Sequence, residues 1–170
     1  MNLEDGTDIA PILGAIATSI SLGIIAWQIY VTREEGRITR TYEYLKRYND
    51  IDFINKLVTA RRFLNDESRS EEEKWEFFYK KRGDIALNNT IMQVFSLFDE
   101  IAGMYNKNLI SKDIVKNLHS DAFPVYYKEA EWLINRWRQQ PEFKEAYEDW
   151  REMVIDMNRT IRNPQLPFLK

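Results

Sequence analysis

The sequence contains no cysteine and a single histidine. The first absence excludes disulfides, thiolate metal sites and a Cys nucleophile, and it suits a reducing compartment. The second excludes any site that needs two imidazoles from one chain. Neither an HExxH zinc motif nor the paired Glu-x-x-His of carboxylate-bridged bundles is present, since Lys116 stands three residues before His119. No Gly-rich phosphate loop occurs, and no serine lies in a G-x-S-x-G turn. A helical nuclease that pairs Arg with a His a few residues later would need Arg four to six positions before His119, where Val115, Ile114 and Asp113 stand. No catalytic residue, metal or cofactor is therefore expected, and the chain reads as a non-enzyme.

Basic residues are missing from the first 32 positions. All 24 Lys and Arg lie at or after Arg33. Three acidic residues, Glu4, Asp5 and Asp8, come before; the other 24 balance the basic ones, so residues 32–170 carry no formal net charge. A neutral domain has no broad attraction for polyanions, and no direct nucleic-acid binding is expected.

The uncharged run Ile9–Thr32 is 24 residues long, and roughly 20 apolar residues suffice to cross a bilayer. The spacing predicts a transmembrane helix, with Asp8 capping its start and Pro11 tolerated in the first turn. Trp27 and Tyr30 sit near the far end, where amphipathic rings favour the interface. An acidic N-terminus argues against a cleaved signal peptide. Arg33, Arg37 and Arg40 follow on one helix face. By the positive-inside rule they leave residues 1–8 outside and the rest in the cytoplasm, as for a bacterial inner-membrane protein. The same face also suits anionic lipid head groups.

Within the span, Gly14, Thr18, Ser21, Gln28 and Thr32 form a small or polar stripe on one face, and Ala15, Ser19 and Gly23 form a second row. Small residues let helices approach, and hydroxyls or amides bond across them, so self-association of the span is expected. Gln28 is costly facing lipid and comfortable facing a partner or a lumen.

Residues 33–160 read as an all-α cytoplasmic bundle of about six helices, and residues 161–170 as a tail. The anchor continues through about Arg47. Helices follow at about Asp52–Leu64, from the capping box Ser70-Glu71-Glu72-Glu73 to Lys80-Lys81-Arg82 before Gly83, and at Asp84–Asn106. Others are expected from a Ser111 cap to Leu118, from Phe123-Pro124 to Gln139, and from Pro141 onward. In the last, Phe143, Tyr147, Trp150, Val154 and Met157 make a heptad seam. Asp84–Asn106, with Leu87, Ile91, Val94, Phe95, Phe98, Ile101 and Tyr105, is expected at the centre of the core.

Arg61-Arg62 suggests an anion site, or a buried ion pair with Asp99 or Glu100, which interrupt an apolar helix and need partners if buried. His119 reads as a helix-end residue suited to free carbonyls. Trp132, Trp137 and Trp150 read as core, with an aromatic ligand pocket as the alternative. Expected partners are membrane lipids, further copies of the chain and a cytoplasmic protein.

The segments Tyr44-Leu45-Lys46-Arg47-Tyr48, Ala60-Arg61-Arg62-Phe63-Leu64, Phe95-Ser96-Leu97-Phe98-Asp99-Glu100-Ile101-Ala102 and Leu109-Ile110-Ser111 resemble those of a bacterial family known only as a domain of unknown function. That resemblance implies one N-terminal span and a cytoplasmic helical domain, and carries no catalytic residues. In size, span and helical domain the chain is also similar to the small membrane accessory protein of some type VI CRISPR systems. This second resemblance implies a pore-like ring that strengthens defence by an RNA-guided RNase.

Overall fold

A computed structural model describes residues 9–80 and 85–162. Residues 1–8, the Lys81-Arg82-Gly83 helix stop, Asp84 and residues 163–170 lie outside the described residues. Among the described residues seven α-helices follow one another: α1 (Ile9–Tyr48), α2 (Ile51–Leu64), α3 (Glu71–Trp75), α4 (Ile85–Asn106), α5 (Lys112–His119), α6 (Ala122–Arg138) and α7 (Glu148–Arg162). The fold is all-α, with a long apolar helix running into a helical bundle.

Local chemistry sets most boundaries. Asp50 caps α2 by accepting the Asp52 N–H. Ser70 and Glu73 close the capping box of α3, which passes into one π-helical turn over Glu76–Lys80. α4 ends in a Schellman motif. Asn108 takes the left-handed conformation (φ 54°), its N–H donates to Tyr105 O, and the Leu109 N–H donates to Met104 O.

Two helix starts differ from the sequence reading. Ser111 precedes α5, but its side chain makes no capping bond; its backbone N–H is used elsewhere, as described below. Pro141 opens only a 3-10 turn, Pro141–Phe143. The chain then turns until Tyr147, whose φ of 58° breaks the helical path, so α7 begins at Glu148. The heptad seam accordingly starts at Trp150: Trp150, Val154 and Met157 are buried, joined by Met153, while Phe143 is 46% exposed.

α4 is the central helix. Ile91, Val94, Phe95, Phe98, Ile101, Ala102 and Tyr105 are all at most 2% exposed. α2 and α7 pack against it, and α6 packs on α7 and α2. Many core side chains are aromatic, and several of the rings meet edge to face. Phe95 stands across Trp137, Tyr147 and Trp150 with ring centroids 5.5–5.8 Å apart, and Phe98 across Phe53 and Phe123. Such pairs add to area burial because a positive ring edge meets a negative face. Lys74 is buried and satisfied: its Nζ donates to Leu64 O at 2.8 Å, a cation at the C-terminal end of α2, where it suits the helix dipole.

Candidate functional site

The bundle covers none of the outer half of α1. Every residue from Ile12 to Tyr30 is exposed, and the apolar window in the Ile12–Tyr48 helix has mean hydropathy 1.8 with no part of it buried. The core helix of a soluble protein would be covered. This one is long and apolar enough to cross a membrane. Three hydroxyls bond within the helix itself: Thr18 Oγ1 donates to Gly14 O at 2.8 Å, Ser19 Oγ to Ala15 O at 2.9 Å and Ser21 Oγ to Ala17 O at 2.8 Å. Such back-bonding lets a hydroxyl sit in hydrocarbon without a second helix. Gln28 and Thr32 are exposed on the same face.

The inner half of α1 is clamped to the bundle. Thr41 is fully buried. Its Oγ1 donates to Arg37 O at 2.7 Å and accepts the Ser111 N–H at 2.8 Å. Arg37 Nη1 pairs with Glu34 at 2.8 Å, and Nη2 reaches Ile110 O at 3.5 Å. Arg33 and Arg40 stay exposed, with Arg40 Nε on Gly36 O. One helical turn beyond Thr41, Leu45 is buried, as is Tyr48. Arg47 makes two 3.0 Å bonds to Glu100, which also accepts from the Tyr44 hydroxyl. The Arg47 guanidinium holds the Glu100 carboxyl below its ordinary value. Glu100 thus lies level with Tyr44 and Arg47, and Ile110–Ser111 level with Arg37–Thr41. α4 therefore runs antiparallel to α1, and its C-terminal end points back towards the apolar half.

The expected ion pair forms with other partners. Arg61 Nε and Nη2 bind the Glu129 carboxylate at 2.7 and 2.5 Å, and its guanidinium covers the Tyr126 ring at 4.9 Å. Arg62 is exposed. Neither meets Asp99 or Glu100, because this face of α2 looks onto α6, while Glu100 faces α1 and Asp99 faces the start of α7. Burial pushes the Asp99 carboxyl up, against an N–H bond from Trp150 and alongside Asp149.

His119 does end α5, but it serves packing. Its ring lies 4.5 Å from Tyr48 and 5.6 Å from Phe123, its Nε2 is buried without a partner, and desolvation lowers its pKa. Trp137 and Trp150 are core residues. Trp132 stands apart beneath Lys74, so the three do not close around one ligand.

Among the described residues no three His, Cys, Asp or Glu side chains converge on a metal position. A cavity of about 870 Å³ is an open groove between the end of α1, the start of α2 and α4, where Lys46, Asp52 and Lys56 mix both charge signs. Thr41 had no signal in the sequence: a threonine between Arg40 and Tyr42 adds nothing to the apolar period and looks like surface.

A family model described as a domain of unknown function, DUF4760, matches residues 15–157. No curated protein and no solved structure matches the chain.

Proposed function

Because the chain belongs to the DUF4760 family of unknown function, we propose that it is a non-enzymatic single-pass membrane protein that self-associates through its span. One observation carries this reading. At 100° per residue, Gly14, Thr18, Ser21, Gln28 and Thr32 fall within about 80° of helix surface, and Gly36, Thr39 and Glu43 extend the same stripe. Thr41, Leu45 and Tyr48, which the bundle buries, lie on the opposite side. Thr39 and Glu43 remain exposed. A second copy can thus approach along a small, polar face over the whole helix without displacing either bundle. The N-terminus lies outside, and Arg33, Arg37 and Arg40 mark the cytoplasmic boundary.

In its sharpest form several copies enclose a lumen lined by Thr18, Ser21 and Gln28, as in the defence-linked membrane accessory proteins of similar layout. Detergent-extracted protein is expected to have the mass of an oligomer. Ser21→Leu with Gln28→Leu weakens association about threefold to twentyfold per lost interhelical bond of about 0.6–1.7 kcal/mol, and abolishes ion flux in liposomes while insertion persists. A monomer at every protein-to-detergent ratio overturns self-association; flux unchanged in the double variant overturns the lumen.

A monomeric scaffold that recruits a cytoplasmic partner is the second reading. The back-bonded hydroxyls of Thr18, Ser19 and Ser21 favour it, since they make a lone span tolerable in lipid. A divergent RNase is the third; His119→Ala with full cellular function argues against it.

A further inference from the structure

We propose that the α4–α5 turn and the adjoining flank of α1 form a binding surface for the head groups of anionic phospholipids, with Arg33, Arg40 and Lys107 as the cationic groups and Leu109 as the apolar contact. The inference rests on reading Ile12–Thr32 as a span.

Helix geometry supplies the level. α1 is unbroken from Ile9 to Tyr48, so height along it is fixed at about 1.5 Å per residue. Glu100 is bonded to Arg47. Seven residues, two turns, take α4 from Glu100 to Lys107, and seven take α1 from Arg47 back to Arg40. The helices are antiparallel, so Lys107 and Arg40 arrive at one height, about 12 Å beyond Thr32.

They also share a flank. Two helical turns return Lys107 to the face of α4 that carries Glu100, and both line one crevice with Tyr44. Arg33, Arg40 and Arg47 project from α1 on that side by the same periodicity. Ile110 O, tied to Arg37, brings Leu109 to about 8 Å beyond Thr32. Polar head groups extend roughly 5–8 Å past the hydrocarbon on each side, within reach of these long cationic side chains.

The chemistry of the turn fits that layer. Arg33, Arg40, Lys107 and Leu109 are exposed. Asp149, which shares the crevice with Lys107, accepts from the Asn106 side-chain amide, and the other acidic residues near this height are directed elsewhere. Glu34 is bonded to Arg37, Glu35 stands on the far side of α1, and Asp113 lies near Tyr105. The Schellman bonds of Asn108 and Leu109 and the Ser111–Thr41 bond hold the turn in place, so it meets the lipid surface already ordered.

The absence of native cysteine allows a direct test. The full chain is reconstituted in vesicles of phosphatidylcholine alone or mixed with phosphatidylglycerol. An environment-sensitive fluorophore is attached at Leu109→Cys, at Ile25→Cys in the span or at Ile85→Cys at the distal end of α4, and is quenched by lipids carrying spin labels. Expected are deep quenching at position 25 and none at position 85 in both vesicles, with quenching at position 109 rising when phosphatidylglycerol is present. Lys107→Glu with Arg40→Glu is expected to lose that rise, and Lys107→Arg to keep it, with thermal unfolding of the bundle unchanged. Equal quenching at position 109 in both vesicles, or none in either, overturns the proposal while position 25 stays deep. An unquenched position 25 overturns the span itself.

Discussion

The outer half of α1 and the middle of α4 are both helical and both rich in isoleucine, leucine and aromatic residues, yet they distribute them differently. In α4 the apolar side chains make one stripe, buried to within 2% at Ile91, Phe95, Phe98 and Ile101, with Gln93, Ser96 and Glu100 exposed behind it. In α1 they cover every side but the Gly14–Thr32 stripe, and Ile12, Ile16, Ile20 and Ile24 are 50–59% exposed. A striped helix has protein on one side and water on the other. A helix apolar on nearly every side needs an apolar medium around those sides. One chain is thus built for two solvents, and Thr41 lies just where α1 enters the second.

The sharpest way to break this contrast is to truncate one large apolar side chain in each region. Trp150 is fully buried, with Phe95, Phe98 and Tyr127 against its ring. Trp150→Ala is expected to cost about 3–5 kcal/mol, lowering the Tm of the bundle by roughly 12–40 °C at 4–8 °C per kcal/mol. Ile20→Ala touches no bundle residue and leaves that Tm unchanged. Both variants stay in the carbonate-resistant membrane fraction. A comparable Tm loss in Ile20→Ala would mean that the outer helix is part of the protein core.

A smaller effect tests the junction. Thr41→Val preserves shape and removes the hydroxyl, leaving the buried Ser111 N–H without its acceptor. The expected cost is about 1–3 kcal/mol, with faster amide exchange at Ser111 and little change deep in α4. Thr41→Ser retains most of the stability. Exchange at Ser111 unaffected by the valine would show that this bond does not hold the turn to α1.

These contacts also mark how far sequence reading reaches. Periodicity and capping located nearly every helix, because the burial of α4 and the Ser70–Glu73 box depend on residues a few positions apart. Pairing across helices was less legible. Arg61 and Glu100 both showed that a partner was needed, but which neighbour each helix face meets depends on packing, and the pairs became Arg61–Glu129 and Arg47–Glu100. The false start at Pro141 has a similar cause: proline suits a first helical turn, but Tyr147 at φ 58° stops the helix from forming until Glu148. Thr41 was invisible because its partner is a backbone N–H seventy residues away.

The smallest expected effect separates the two solvents by pH. Residues 12–32 carry no titratable side chain except Tyr30, so insertion should not change between pH 5 and 8. The bundle holds His119 against Tyr48 and Phe123, and desolvation lowers its pKa from the ordinary 6.5. In the unfolded chain the imidazole takes up its proton near 6.5, whereas in the folded chain it does so only at lower pH. As pH falls below 6.5 the unfolded state therefore binds more protons, and stability declines until the folded pKa is passed. Above 6.5 this contribution is flat. His119→Phe keeps an aromatic ring against Tyr48 and removes the titration. Its Tm should be nearly level between pH 8 and 5.5, while that of the wild type falls. The raised Asp99 carboxyl acts with the opposite sign and, being present in both proteins, cancels in the difference. A wild-type profile parallel to that of His119→Phe would show that the imidazole is as well solvated in the fold as in the unfolded chain.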